Sequence, residues 1–285
     1  MLKNLTAVSG LPVVSPATTS PDLSGRIARV VPSDALQGAT LVKFASFDLV
    51  VKVVAVGPVS AKATLDSIAS EARARGLRVG KVTYPNATKK VTDYAGKIAA
   101  QHADGIIFIG GTETPSLVRA LVRIGLPAHV YFTSAAGSAA AQGDYPRGTL
   151  SGAKVLGPDL RTPAAFKKRI LGVDSKVTQF DYTTQSYDAA VVVGLAAAEA
   201  GDPALLAQHL SSVTMVGQRC STPSVCLALI ARGTDIDYVG VSGPVDISID
   251  GDVVSASYAL RTFGGNNKPG TSVDRKSTRL NSSHA

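Results

Sequence analysis

Apolar runs alternate with amphipathic stretches through the middle of the chain. Residues 49–56, LVVKVVAV, form a β-branched run typical of a buried strand, and residues 60–76 repeat apolar side chains at helical spacing until Gly76 ends them. The alternation continues with strands predicted at residues 77–85, 104–111 and 128–134 and helices predicted at residues 90–103 and 114–125. Strands that alternate with helices in this way favour a mostly parallel sheet joined by right-handed crossovers. The pattern therefore predicts an α/β fold.

Helical patterns outnumber strand patterns in the rest of the chain. Helices are predicted at residues 163–171, 186–201, 203–213 and 223–233. The strands visible to pack against them are fewer, at residues 11–15, 28–32 and 243–248. A doubly wound lobe normally opens with its own βαβ units, so we expect that this lobe lacks its N-terminal strands.

Composition narrows the class of protein without identifying it. Of the 285 residues, 45% are hydrophobic and 18% are charged, which is typical of a folded globular chain. The formal charge of +8 is scattered, and no basic stripe is interleaved with aromatic residues, so we predict no nucleic-acid partner. No apolar run reaches the ~18 residues that a transmembrane helix needs, and no signal-peptide pattern opens the sequence.

Two cysteines, Cys220 and Cys226, lie close together in the sequence. Their spacing and the absence of a nearby histidine do not fit a zinc site. The thiols are either unrelated buried side chains or the two ends of a local disulfide, and their proximity favours the disulfide. A disulfide would indicate an oxidising compartment.

Loops rich in Gly, Ser, Thr and Ala follow the predicted strands, at residues 15–21, 57–62, 110–115 and 133–138. In open α/β sheets, ligands bind at such carboxyl ends of strands. The histidines lie away from these loops, and no nucleophile–base arrangement, metal cluster or nucleotide-binding motif is visible. We therefore predict binding rather than catalysis, with no catalytic residue, no metal and no cofactor.

The loop SPATTSPD, residues 15–22, has two interpretations. Backbone N–H groups and hydroxyls just beyond a strand could bind an anion such as a carboxylate. Alternatively, Ser20 or Asp22 could be a plain N-cap of a short helix. The residues by themselves do not separate these two interpretations.

Several stretches, taken in order, resemble one family of proteins: residues 10–24, 28–41, 103–126, 178–201 and 217–252. The first reads GLPVVSPATTSPDLS and the fourth TQFDYTTQSYDAAVVVGLAAAEAG. They resemble the solute-binding proteins of branched-chain amino-acid ABC transporters, which are type I periplasmic binding proteins with a Leu/Ile/Val-binding-like fold. The resemblance covers residues 8–265, and the last stretch is similar to the actinobacterial branch.

This resemblance implies two doubly wound parallel-sheet lobes joined by a three-stranded hinge, with a small ligand held between them. The first lobe would consist of residues 1–34 and 158–253, without its N-terminal βαβ units. Residues 35–157 would form the second lobe, and residues 254–265 a return strand to it. We expect residues 266–285 to be a disordered tail, in which residues 275–285 resemble a sequencing artefact.

The resemblance also implies the ligand-binding residues. Ala17 and Thr19 match positions that hold the α-carboxylate and ammonium groups of an amino acid, with Thr18 between them, and Asp34 lies near the first crossing. In the second lobe the candidates are Ser60, Ser134 and Glu113. Glu113 would replace the family's acidic partner for the ammonium group, or it is a solvated residue in the first turn of a helix.

The predicted function is that of an extracytoplasmic solute-binding protein, located in the periplasm or at the cell surface. It would deliver an amino acid of the branched-chain type, or a similar small polar solute, to the permease subunits of an ABC importer. Contact with a membrane would come only through the transporter or an unseen lipid anchor. The alternative is the extracellular ligand-binding domain of a receptor or sensor with the same fold.

Overall fold

The structure is a computed structural model that describes residues 12–20, 27–86, 88, 90–270 and 274–279. The chain divides into two compact units. Unit 1 contains residues 1–33, 158–258 and 276–285, and unit 2 contains residues 34–157 and 259–275. The boundaries between the units fall after Ser33, Gly157, Tyr258 and Arg275, and the lobe boundaries implied by the resemblance stay a prediction.

The strands of the described residues are numbered in chain order. They are β1 (Val13–Ser15), β2 (Ile27–Arg29), β3 (Lys52–Pro58), β4 (Arg78–Tyr84), β5 (Gly105–Phe108), β6 (His129–Phe132), β7 (Lys154–Pro158), β8 (Gln218–Cys220), β9 (Ile236–Gly240), β10 (Gly243–Pro244), β11 (Ser255–Thr262) and β12 (Asp274–Arg279).

The α-helices are numbered in the same way. They are α1 (Asp34–Phe47), α2 (Lys62–Ala74), α3 (Ala95–Ala99), α4 (Thr114–Ile124), α5 (Ser134–Ala140), α6 (Ala164–Val173), α7 (Thr183–Ala200), α8 (Leu206–Met215) and α9 (Pro223–Ile230). Short 3₁₀ turns precede α2, α3 and α8, at Val59–Ala61, Val91–Tyr94 and Pro203–Leu205.

Unit 2 is built on a sheet with the strand order β12-β11-β7-β6-β5-β3-β4. Strands β3 to β7 pair in parallel. In this register Val56 lies beside Phe108, and Phe108 lies beside Phe132. The carboxyl ends of these strands therefore meet at one edge, as the alternating pattern predicts.

An apolar core fills the faces of this sheet. Phe108 and Phe132 stack with ring centroids 5.2 Å apart, and Phe263 lies 5.6 Å from Phe132. Helix α1 was not predicted, because it is apolar on all sides and most of its residues are buried, so it lacks the amphipathic signal. It packs closely on α2, since a Cβ at Gly38 would lie 2.7 Å from Ile68.

Unit 1 contains two small sheets. Strands β1 and β2 pair in parallel, and a second sheet has the order β10-β9-β8. Helix α7 packs against β1, β9, α8 and α9. A disulfide joins Cys220 at the end of β8 to Cys226 in α9, with Cα atoms 5.4 Å apart. This is the pairing favoured by the sequence, and in α9 only Cys226 is fully buried.

Other segments of the structure also differ from the sequence expectations. Residues 274–279 form β12 beside β11, where a disordered tail was expected, because the open edge of β11 offers backbone partners to an extended segment. The stretch between residues 135 and 160, which has little periodicity, contains α5 and β7. The helix expected over residues 90–103 is reduced to a 3₁₀ turn and the short α3.

Candidate functional site

In unit 1, the loop after β1 is organised by the Ser15 hydroxyl. Ser15 is 5% exposed, and its Oγ accepts the N–H groups of Thr18 at 3.1 Å and Ala17 at 3.4 Å. The same hydroxyl donates to Thr18 Oγ1 at 2.8 Å. This side chain closes a tight turn at the carboxyl end of the strand, so the loop does not need a helix to satisfy these amides.

A buried arginine supports this loop through its carbonyl groups. Arg29, the last residue of β2, has a fully buried side chain, and its Nη1 donates to the carbonyls of Thr18 at 3.1 Å and Ser20 at 2.6 Å. Its Nε lies 2.6 Å from Asp252 Oδ1. The guanidinium thus holds three acceptors at once, which its planar set of donors allows.

Thr19 is the predicted ligand-binding residue that this arrangement leaves unengaged. Thr19 is half-buried and Ala17 is exposed. No hydrogen bond joins the Thr19 N–H or hydroxyl to another residue that the structure describes. The remainder of the predicted loop, Pro21 and Asp22, lies outside the described residues, and so does the Asp22 capping interpretation.

In unit 2, Glu113 bends back over the carboxyl ends of the strands. Its Oε1 accepts the Tyr84 hydroxyl at 2.8 Å and the Gly111 N–H at 3.3 Å. Gly110 has a φ of +153°, a backbone conformation that favours glycine, and a Cβ there would lie 2.6 Å from this oxygen. Burial and the hydrogen bond to Glu113 raise the pKa of Tyr84, which therefore stays a protonated donor. Glu113 is thus a held carboxylate rather than a freely solvated side chain.

Two other predicted residues of unit 2, Ser60 and Ser134, lie at the same strand ends. Ser60 is exposed in the turn after β3, and its N–H donates to Asn86 Oδ1 at 3.0 Å. Ser134 begins α5 after β6, and its N–H donates to Gln37 Oε1 at 2.9 Å. Asp34 is the first residue of α1, three positions before Gln37 in the chain.

Sequence reasoning missed four polar residues that shape these two edges: Arg29, Gln37, Tyr84 and Asn86. Tyr84 is the last residue of β4 and Asn86 follows it. Because β4 ends at the same edge as β3 and β5, the loop after it could have been included. Arg29 interrupts an apolar strand, and a charge in such a place is itself a signal. No feature of the sequence indicated a role for Gln37, because the helix that contains it was not predicted.

The described residues contain no group of three or more His, Cys, Asp or Glu side chains that could hold a metal ion. Among the helices that the structure describes, none combines the length and apolar character needed to cross a membrane.

Comparisons with known proteins identify the family. A family model described as the receptor family ligand binding region matches residues 1–266, so the chain belongs to this family of ligand-binding proteins. No curated protein matches the sequence.

Several solved structures share the fold. The chain resembles a leucine binding protein from Thermotoga maritima, with a TM-score of 0.67 and 19% identity over 96% of this chain and 74% of that one. It also resembles the branched-chain amino acid transporter substrate binding protein of Streptococcus pneumoniae in complex with isoleucine, with a TM-score of 0.61 and 16% identity over 96% and 74%.

A third similar structure carries a different class of ligand. It is a solute binding protein of an ABC transporter from R. palustris in complex with 4-hydroxybenzoate, with a TM-score of 0.65 and 17% identity over 97% of this chain and 73% of that one. Isoleucine and 4-hydroxybenzoate share a carboxylate group, but only isoleucine carries an ammonium group.

Proposed function

We propose that this protein is a solute-binding protein of an ABC importer that captures a small carboxylate-bearing solute, in the first place a branched-chain amino acid. The similar structures of leucine, isoleucine and hydroxybenzoate binding proteins support the class of solute. The permease subunits of the importer would be its partners. The Cys220–Cys226 disulfide supports an extracytoplasmic location.

The proposal rests on the conformation and the hydrogen bonding of the loop after β1. Its turn is already closed by Ser15 and Arg29, while the Thr19 N–H and hydroxyl have no partner among the described residues. Two adjacent donors on a loop that is already ordered suit a carboxylate, because little further ordering is needed on binding. We assign Ala17, Thr18 and Thr19 to this contact.

The strand ends of unit 2 carry a carboxylate instead of hydrogen-bond donors. Glu113 supplies a carboxylate that is held in place by Tyr84 and Gly111. A carboxylate suits the ammonium group of an amino acid, which benzoates lack. We therefore assign Glu113 to the ammonium group, with Ser60, Ser134 and Asp34 as further polar contacts.

The test is calorimetric titration of the purified chain with leucine, isoleucine, valine and benzoate, and with glucose as a solute that has no carboxylate. We expect binding of at least one carboxylate and no binding of glucose. Thr19→Ala should weaken that binding roughly 10- to 100-fold, since a hydrogen bond to a charged group contributes about 1.5–3 kcal/mol. Thr234→Ala, at a half-buried threonine of unit 1 outside this loop, is the matched control and should bind normally.

Glu113→Gln separates the two classes of solute. It should weaken leucine binding and leave benzoate binding unchanged, because only leucine carries an ammonium group. If Thr19→Ala binds as tightly as the parent chain, the carboxylate assignment is wrong. If the parent chain binds none of the carboxylates, the proposed function itself is wrong.

A second candidate function is the ligand-binding domain of a receptor or sensor, which the description of the matching family favours. Deletion of the gene distinguishes the two. Loss of uptake of the bound solute supports transport, whereas unchanged uptake with loss of a response to the solute supports sensing.

A further inference from the structure

The buried side chain of Arg29 contacts both the loop after β1 and the turn that contains Asp252. It lies under the loop after β1, where Nη1 contacts the carbonyls of Thr18 and Ser20, while Nε contacts Asp252. The Arg29 N–H also donates to the carbonyl of Gly251 at 2.9 Å. The turn that carries Asp252 is therefore fixed against β2 at the same residue that supports the loop.

A glycine makes this close approach possible. Gly251 has a φ of +85°, and a Cβ there would lie 2.6 Å from the carbonyl oxygen of Ile27. Only glycine combines this backbone conformation with this contact at low cost. Asp252 is 46% exposed, whereas Arg29 is fully buried, so the acid compensates the buried cation from the solvent side.

The carbonyl contact determines where the Thr19 N–H points. The described residues contain no cis peptide bond, and the C=O and N–H groups of a trans peptide point in opposite directions. Because the Thr18 carbonyl points toward Arg29, the Thr19 N–H of the same peptide points away from it. A cation on the carbonyl side also polarises the peptide and strengthens its N–H as a donor.

We propose that Arg29 is a positioning residue for ligand binding, which orients and polarises the Thr18–Thr19 peptide so that the Thr19 N–H binds the carboxylate of the solute. Arg29 itself does not touch the solute. This inference rests on the proposed function, because it assumes that a carboxylate binds at Thr19.

The experiment measures discrimination between a carboxylate and its amide. The probes are leucine and leucinamide, or benzoate and benzamide if benzoate is the solute that binds. Arg29→Met removes the charge and the hydrogen bonds, and Arg29→Lys keeps the charge with a shorter reach. We expect the parent chain to prefer the carboxylate about tenfold or more, Arg29→Met to lose this preference, and Arg29→Lys to retain part of it.

Asp252→Asn is the matched control. It removes the charge that compensates Arg29, so it should lower the melting temperature, but it leaves the carbonyl contacts in place and should keep the preference for the carboxylate. A merely structural role for Arg29 would weaken both probes equally in every variant. If Arg29→Met fails to fold, the comparison of Arg29→Lys with Asp252→Asn still decides the question.

The outcomes also separate this inference from the proposed function. If Thr19→Ala weakens carboxylate binding but the Arg29 variants discriminate like the parent chain, the positioning role is wrong and the proposed function stands. If the parent chain binds neither leucine nor benzoate, both are wrong.

Discussion

Buried charges distinguish unit 1 from unit 2. Among the described residues, the buried charged side chains all belong to unit 1, and they are Arg29, Asp188, Asp237 and Asp246. The buried polar side chains of unit 2 are uncharged, and they are Gln37, Thr40, Thr64, Thr114, Thr133 and Asn267. Unit 2 is stabilised mainly by a continuous apolar core, whereas unit 1 adds buried charges and a disulfide to its short strands.

This difference has a consequence for the two candidate edges. A buried charge is tolerated only when it is paired or hydrogen-bonded, so its partners are fixed in space. In unit 1 such charges hold loops: Arg29 holds residues 18–20, and Asp188 holds residues 241–242. In unit 2 the strand-end residues are placed by the regular sheet. Substitutions at buried charges should therefore affect unit 1 more than any polar substitution affects unit 2.

The largest effect is expected for Asp188→Ala in unit 1. The fully buried carboxylate of Asp188 accepts hydrogen bonds from the Tyr238 hydroxyl at 2.8 Å, from the Val241 N–H at 2.9 Å, and from both the N–H and the hydroxyl of Ser242. The substitution leaves these donors unpaired and should lower the free energy of unfolding by about 3 kcal/mol or more. Urea unfolding followed by circular dichroism measures it.

Two other substitutions sharpen this comparison. Asp235→Ala removes an exposed aspartate of unit 1 and should change stability by no more than about 0.5 kcal/mol. Thr64→Val in unit 2 removes a buried hydroxyl that has no partner among the described residues, so stability should stay the same or rise. A loss below about 1 kcal/mol for Asp188→Ala would show that buried charge does not stabilise unit 1.

The contrast between the units also explains what the sequence could predict. The strands β3 to β6 and the helices α2 and α4 of unit 2 were predicted within a few residues, because a parallel sheet covered by helices produces the regular pattern that sequence analysis reads. Strands β8 and β9 of unit 1 were not predicted. They depend on a disulfide, on Asp188 and on the Arg219–Asp237 ion pair, and such contacts leave no periodicity.

The candidate site was likewise predictable from the sequence only in part. The strand-end loops followed from the order of strands and helices, whereas Ser60, Glu113 and Ser134 within them came from the family resemblance. The contacts of Glu113 with Tyr84 and of Thr18 with Arg29 did not, because each joins residues from different elements at a distance along the chain. Assignment of Thr19 to a carboxylate came from the family resemblance and remains a prediction.

An intermediate effect is expected when the disulfide of unit 1 is removed. Replacing both Cys220 and Cys226 by serine opens a short loop, and the chain-entropy model gives a loss of about 2–3 kcal/mol. The loss should be local, because α9 has only Cys226 fully buried and depends on this bond for its attachment. Hydrogen exchange should therefore increase in residues 223–230 and remain unchanged in the strands of unit 2.

Dithiothreitol provides the control for this prediction. Reduction of the parent chain should reproduce the faster exchange of α9, and should have no effect on the double serine variant. Unchanged exchange in α9 after reduction would mean that the helix is held by its packing against α7 and β9 alone.

The smallest effect is expected from a partly buried ion pair in unit 2. Asp48 lies 2.5 Å from Lys154 Nζ and accepts the Tyr131 hydroxyl at 2.6 Å. Partial burial raises the pKa of Asp48, but the hydrogen bonds from Lys154 and Tyr131 outweigh it, and the pKa is lower than usual. The stabilisation is therefore complete above the unfolded pKa of about 3.9, and is lost as the pH falls through the lower folded pKa.

Asp48→Asn should accordingly lower the free energy of unfolding by about 1 kcal/mol at pH 7 and flatten the fall in stability below about pH 4, because the asparagine does not titrate.

Asp66→Asn is the matched control in the same unit. Lys62 and Lys81 lower the pKa of Asp66 to about 2, but these pairs are more exposed to solvent than the Asp48–Lys154 pair, so the effect of Asp66→Asn should disappear in high salt. Urea unfolding between pH 7 and pH 2.5, at low and high salt, measures both variants. If Asp48→Asn loses its effect in high salt as Asp66→Asn does, the Asp48–Lys154 ion pair is screened by salt like an exposed surface pair. Unit 2 would then be stabilised by its apolar core without a measurable contribution from charge.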